Sequence, residues 1–192
     1  MVSRRNMLKT GLTAVFGACA VQTASASEVQ QKSQNNFDVV ILGAGTGGLV
    51  TAIEAADLGL KPVVLEKMEC SAGNSLYASG GIAAWGTSQQ KEEGRNETKE
   101  SFREDMMKVS EYRADPALVG AYVNHIPEDF EWLKKQGVKF SKIGKKPWPL
   151  NYRMHNVDGQ GLTGGARLVR YLLEACEKRN IPIIYNTKAI EL

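Results

Sequence analysis

The chain has 192 residues, 43% of them hydrophobic, which suits one medium domain with a core and excludes a disordered chain. Its formal net charge is +3, and Arg4, Arg5 and Lys9 account for all of it, because residues 1–26 hold no acid. The remaining body is neutral, which excludes the electrostatic footprint of a nucleic-acid binder or of a protein held on an anionic membrane.

The twin arginines Arg4-Arg5 sit in Ser3–Lys9, and an apolar, small-residue stretch, Gly11–Val21, runs on to Ala24-Ser25-Ala26. This resembles a bacterial twin-arginine export signal with a small-residue cleavage site, although Met7 stands where Phe is more usual. The alternative is an ordinary secretory signal or a retained anchor. The stretch is short for a span, which needs ~20 apolar residues. Residues 1–26 are therefore set aside as a signal peptide, and the mature chain is expected in the periplasm with no stable membrane span. Cys19 would leave with the signal; Phe16 stands where a lipidation site prefers Leu. Residues 27–36 are polar and aperiodic and read as a linker.

The most informative stretch follows. The apolar run Phe37–Leu42 predicts a strand, Gly43-Ala44-Gly45-Thr46-Gly47-Gly48 a glycine loop, and Leu49–Leu58 an amphipathic helix. Gly59–Pro62 reads as a turn, and Val63-Val64-Leu65 as a second strand that ends on Glu66. Strand, glycine loop, helix, strand and acid in this order form a dinucleotide-binding unit. Gly43 serves the tight turn, Gly45 the close approach of a pyrophosphate, and Gly48 the packing of helix on sheet. The first helical amides are unpaired and lie at the positive end of the helix dipole, so they suit an anion. The Glu66 carboxylate suits the two hydroxyls of an unmodified ribose and repels a 2′-phosphate, so NADP is disfavoured.

Residues 71–86 are rich in Gly, Ala and Ser, and residues 87–101 are polar. The Asn96-Glu97-Thr98 sequon is set aside in a bacterial context. Three helices are predicted next: Thr98–Tyr112, with Phe102, Met106, Met107 and Val109 facing a core; Ala117–Val123, opened by Asp115-Pro116; and Phe130–Gln136, opened by Pro127 and stopped by Gly137. Residues 141–160 predict a long loop, Ala166–Arg179 a helix, and Ile181–Tyr185 a strand. Ala189–Leu192 reads as the opening of another strand. Cys70 and Cys176 show no CxxC spacing and are expected as buried or semi-buried thiols. There is no CxxCH, so no c-type haem, and neither His125 nor His155 sits in a metal motif.

These motifs together resemble the N-terminal part of the flavoprotein subunit of the fumarate reductase/succinate dehydrogenase family, in its soluble periplasmic branch of flavocytochrome c and urocanate reductases. The resemblance runs from about Asp38 to Leu192, and residues 37–192 are expected to form the N-terminal part of an FAD-binding domain. Val64-Leu65-Glu66-Lys67 matches the unit that holds the ADP half of FAD. Gly73–Trp85 matches the second FAD segment and is the most specific piece. Asp115–Val119 and Gly164-Gly165 with its helix match further segments. The implied fold is α/β, a Rossmann-like FAD-binding domain of the glutathione-reductase type, incomplete at its C-terminus.

The resemblance implies that Asn74, Ser75, Ser79, Gly80 and Gly81 line the pyrophosphate and isoalloxazine, and that Ala189 meets the adenine through its backbone. Membrane-bound relatives attach FAD through a histidine where this chain has Asn74, so non-covalent FAD is implied. Met154–Asp158 stands where the family has His-Arg-Pro, which leaves the role of His155 open; a satisfied loop histidine is the favoured reading. The implied activity is reduction of the C=C bond of fumarate or a related unsaturated carboxylate, with electrons from a separate cytochrome or bound flavin. The proton donor and the carboxylate clamp are placed beyond Leu192, so no residue of this chain is assigned a catalytic role and no metal site is expected. The alternatives are a flavin dehydrogenase of the same fold, such as a ketosteroid dehydrogenase, and a truncated or split-gene fragment that only binds FAD.

Overall fold

The computed structural model describes residues 36–145, 148, 152–159 and 163–191, with residue 72 excepted. The signal peptide and all but the last residue of the linker therefore lie outside the described residues. Strand β1 (Val39–Leu42), helix α1 (Thr46–Asp57) and strand β2 (Pro62–Leu65) follow one another as the alternating pattern predicts. β1 and β2 pair in parallel from Val39–Pro62 to Leu42–Leu65. Much later in the chain, β5 (Ile183–Ile184) joins the other edge of β2 in parallel, opposite Val64 and Leu65, which makes the order β1-β2-β5.

α1 and α5 (Gly164–Lys178) cover one face of this sheet. Leu49, Ala52 and Ile53 from α1 interlock there with Val169, Leu172, Ala175 and Cys176 from α5, over Ile41 and Val64. Both helices carry their apolar residues on a single stripe, and each fully buried Leu or Ile adds roughly 1.5–3 kcal/mol. Asn180, at φ 54°, ends α5, and its amide bonds the Glu177 carbonyl.

A second core lies around β3 (Gly81–Ala83), α3 (Lys99–Val109) and α4 (Pro116–Lys135), with Ala84, Phe102, Val119, Val123 and Ile126 at its centre. Phe102, Met106 and Met107 face it as the helical period predicts, whereas Val109, at the last turn of α3, is 53% exposed. Asp115 caps α4 by accepting from the Ala117 amide (2.8 Å), with Pro116 in the first turn.

Several expectations need correction. The two helices predicted on either side of Pro127 are one helix, because Pro127 lies inside α4. Residues 87–101 are not simply polar surface. Thr87 and Gln90 form a reciprocal capping box that starts a short helix, α2 (Ser88–Glu92). The expected loop 141–160 contains β4 (Met154–Asn156), which pairs antiparallel with β3. Residues 189–191 form no strand: at Asn186 (φ 53°) the chain turns across β2, where the amides of Asn186 and Thr187 bond the carbonyls of Met68 and Glu66. Cys70 is exposed, and Cys176 alone is buried, with burial raising its thiol pKa to about 11; both are free. Among the described residues, no helix is long and apolar enough to cross a membrane, and no cluster of acids, histidines and cysteines could hold a metal ion.

Candidate functional site

The glycine loop leaves β1 at Gly43, whose φ of 97° few other residues adopt. A Cβ on Gly48 would lie 1.9 Å from the Gly43 carbonyl oxygen, so the start of α1 and the end of β1 touch only because residue 48 has no side chain. A Cβ on Gly47 would meet nothing within 4 Å, which leaves open space beside the first turn. Gly45 precedes the helix in extended geometry and brings no capping side chain of its own, and no acid stands in the first turn, so the amides of Gly47 and Gly48 have no side-chain partner. The helix therefore presents uncompensated amides and the positive end of its dipole to whatever occupies that space.

Two side chains, Glu66 and Ser75, tie the loop to positions distant in sequence. Glu66, 6% exposed, accepts from the Ala44 amide (2.7 Å) through Oε2 and from the Met68 amide (2.9 Å) through Oε1. These backbone donors, Ala44 first, hold its carboxyl below the usual range, so it stays ionised. On the far side of the loop, Ser75 Oγ accepts from Thr46 Oγ1 (2.8 Å) and from the Thr46 amide (3.3 Å).

Ser75 lies in a 3-10 turn, Gly73–Tyr77, that crosses the start of α5. The crossing is close. A Cβ on Gly165 would lie 1.9 Å from the Ser75 carbonyl, one on Gly164 1.8 Å from the Ser79 carbonyl, and one on Gly80 2.2 Å from the Gly164 carbonyl carbon. The Gly165 amide donates to the Ala78 carbonyl, and the Thr163 hydroxyl to that of Leu76. Gly80 therefore meets Gly164, and Ser75 and Ala78 meet Gly165, with no room for side chains between them.

The structure thus brings together Gly43–Gly48, Glu66 and Ser75, with Gly80 at the adjoining crossing on α5 and Gly81 next along the chain against β4. Ala44 is fully buried with its amide given to Glu66, while Lys67, Asn74 and Ser79 are exposed around the rim. Ala189 is exposed beyond the turn that binds Glu66 and Met68. A path of hydrogen bonds runs from that turn through Glu66 to Ala44, along the loop to Thr46, and on to Ser75.

The sequence matches the FAD binding domain family over residues 38–192. The chain belongs to that family. Its cofactor is FAD, and the residues present fit it: glycine geometry at Gly43 and Gly48, open space at Gly47, a helix start whose Gly47 and Gly48 amides have no side-chain partner, and an ionised acid one strand later. The chain is 35% identical over 158 residues to a fumarate reductase (cytochrome) of Shewanella frigidimarina, covering 82% of this chain and 28% of that protein. Among solved structures, it matches the open conformation of a flavocytochrome c3 fumarate reductase with a TM-score of 0.71 and 26% identity, over 81% of this chain and 28% of the other. It also matches the 3-ketosteroid-Δ4-(5α)-dehydrogenase of Rhodococcus jostii RHA1 with a TM-score of 0.68 and 25% identity, over 81% and 40%. The chain thus spans 28% of the length of the curated relative. The expected fold class and the resemblance to the fumarate reductase flavoproteins both hold.

His155 is a core residue of this FAD binding domain rather than a ligand. It is fully buried on β4, its Nδ1 donates to the Arg153 carbonyl (2.7 Å), and its Nε2 accepts from the Thr87 hydroxyl (2.9 Å). The Phe130 ring packs 4.5 Å away, and burial lowers the imidazole pKa, which keeps it neutral. Periodicity gave no sign of Trp85 and Tyr122, which hold the strand that follows Gly80. Tyr122 donates to the Ala83 carbonyl (2.7 Å) and Trp85 Nε1 to the Val123 carbonyl (2.7 Å). The available signals are the place of Trp85 at the end of the Gly73–Trp85 segment and Pro127, four residues after Val123.

Proposed function

We propose that this chain is the FAD-binding portion of a periplasmic flavoprotein reductase that reduces the C=C bond of fumarate or a related unsaturated carboxylate. The observation that carries the proposal is the bonded path from Glu66 through Ala44 and Thr46 to Ser75, which lines up three separate segments as one elongated cradle. In this reading, the amides of Gly47 and Gly48 face the pyrophosphate. Glu66 keeps lone pairs for the ribose hydroxyls beside its bonds to Ala44 and Met68. Lys67 flanks it, Ala189 meets the adenine, and Asn74, Ser75, Ser79, Gly80 and Gly81 carry the flavin end. The cofactor is held without a covalent bond, since Asn74 offers no nucleophile, and when bound it supplies hydride chemistry.

The fumarate reductase relatives favour the reductase activity. The twin-arginine pattern at residues 1–26 favours export, and this chain would bind FAD before crossing the membrane. The electron donor is a separate cytochrome or flavin. The proton donor and the clamp for the substrate carboxylates belong to a capping domain outside residues 37–192. A second reading, a flavin dehydrogenase acting on a steroid, is favoured by the likeness to the ketosteroid dehydrogenase.

The purified chain should quench the fluorescence of added FAD and carry flavin absorption bands, and it should discriminate against NADP. Colourless protein that takes up no FAD would overturn the assignment. Turnover of fumarate with reduced viologen by this chain alone would overturn the placement of catalysis elsewhere. Supplying the rest of the polypeptide and comparing fumarate, urocanate and a 3-ketosteroid separates the two activities.

A further inference from the structure

We infer that Trp85, Tyr122 and Pro127 form a positioning device that sets the second FAD segment, with Pro127 exposing a helix carbonyl for Trp85 to grasp. The inference rests on the reading that residues 74–81 hold the flavin end of FAD. Inside α4, Pro127 has no N–H, so the Val123 carbonyl, four residues back, has no helical donor. The proline ring also crowds that carbonyl and tips it away from the helix axis. Val123 is fully buried, so water is no substitute donor, and an unmade bond there is costly. The Trp85 indole N–H fills the gap at 2.7 Å. One residue earlier on the same helix, Tyr122 donates to the Ala83 carbonyl at 2.7 Å.

The two bonds reach residues 83 and 85, so α4 grips this segment twice within three residues. β4 holds β3 through its ladder, from Gly81–Asn156 to Ala83–Met154. Gly86, at φ 67°, turns the chain beside the Pro127 ring. The segment 74–81 is thereby fixed at both ends. Ser75 and Gly80 are pinned on the starts of α1 and α5, and the chain after Gly81 is pinned on β4 and α4. A proline that a helix would otherwise reject is thus the feature that makes α4 a docking post for a strand.

The test is a double-mutant cycle on the full chain, with stability in urea and FAD affinity by fluorescence quenching read in parallel. Trp85→Phe keeps an aromatic ring but removes the donor. It should lower stability and weaken FAD binding about ten-fold, the loss expected of one unmade hydrogen bond to a buried carbonyl. Pro127→Ala restores a backbone N–H to Val123. The double variant W85F/P127A should regain the stability lost in W85F yet keep its weakened FAD affinity and altered flavin circular dichroism, because residue 85 is no longer tied to α4 and only the Tyr122 bond is left. Tyr122→Phe should weaken FAD binding about three-fold with little change in stability. FAD affinity that returns together with stability in the double variant, or that is untouched in both W85F and Y122F, would overturn the device. A wild-type chain that binds no FAD would sink the underlying assignment and the device with it, whereas wild-type binding with unchanged variants would sink the device alone.

Discussion

The parallel-sheet core and the β3–α4 core are built by different means. Around β1, β2 and β5, the buried set is almost wholly aliphatic, and α1 and α5 meet it with one apolar stripe each. Around β3 and α4, polar groups sit inside. Thr87, Gln90, Arg153 and His155 are all buried, and each is satisfied by specific partners. Gln90 Nε2 donates to the carbonyls of Ala84 and Tyr152, and Arg153 pairs with Glu97 and Asp105. The first core gains from area removed from water, which tolerates approximate fit. The second depends on completed hydrogen bonds, which one missing partner undoes.

The largest effect should come from the second core. Arg153→Met would leave Glu97 and Asp105, 13% and 16% exposed, without their counter-charge. It should cost about 3–5 kcal/mol in urea unfolding, and a loss under 1 kcal/mol would break the contrast. In the first core, Gly48→Ala drives a methyl into the Gly43 carbonyl and should cost about 3 kcal/mol together with FAD binding. Gly47→Ala meets nothing within 4 Å, so it should spare stability and weaken FAD alone; equal behaviour of the two variants would refute the assignment of faces. Asp115→Ala removes the cap of α4 and should cost about 1 kcal/mol, read as a lower urea midpoint.

The smallest effect is that of pH. The folded state holds His155 below its ordinary pKa of 6.5, chiefly through burial. The unfolded chain then binds a proton that the folded one refuses, so this contribution is complete above pH 6.5 and is lost as pH falls below it. Glu66 and Asp105 are also held below their ordinary values, 4.5 and 3.8, so their share is lost only at lower pH. Urea midpoints between pH 7 and 5 should therefore fall in the wild type and stay flatter in His155→Gln. Parallel slopes would exclude His155 as the source.

This contrast also sets what can be read before a structure exists. The β1–α1–β2 unit, the α5 stripe and the Asp115 cap follow from spacing of two and three-to-four residues, so they are visible locally. Glu66 and the glycine loop belong to that set, because the bond from the Ala44 amide to Glu66 closes one strand-helix-strand unit, whereas the Thr46–Ser75 pair reaches outside it. β4 is not legible in the sequence because Met154-His155-Asn156 carries no alternation; it is a strand only because β3 lies beside it. Pro127 reads as a helix start because an internal proline is normally excluded, and the indole that makes it tolerable lies 38 residues away from Val123. Arg153 gave no sign either, since its acids come from α3 and the chain just before it. What periodicity cannot show are the bonds that join distant positions one pair at a time.

The third strand of the parallel sheet carries a temporal consequence. β2 waits for β5, and the hydroxyls of Ser71 and Tyr185 meet across 114 residues of chain. A growing polypeptide can close β1 on β2 as soon as both have left the ribosome, but the edge of β2 beside Glu66 stays open until almost the whole of this sequence has been made. Until then, that edge has no strand to pair with, and it is open to pairing with another chain.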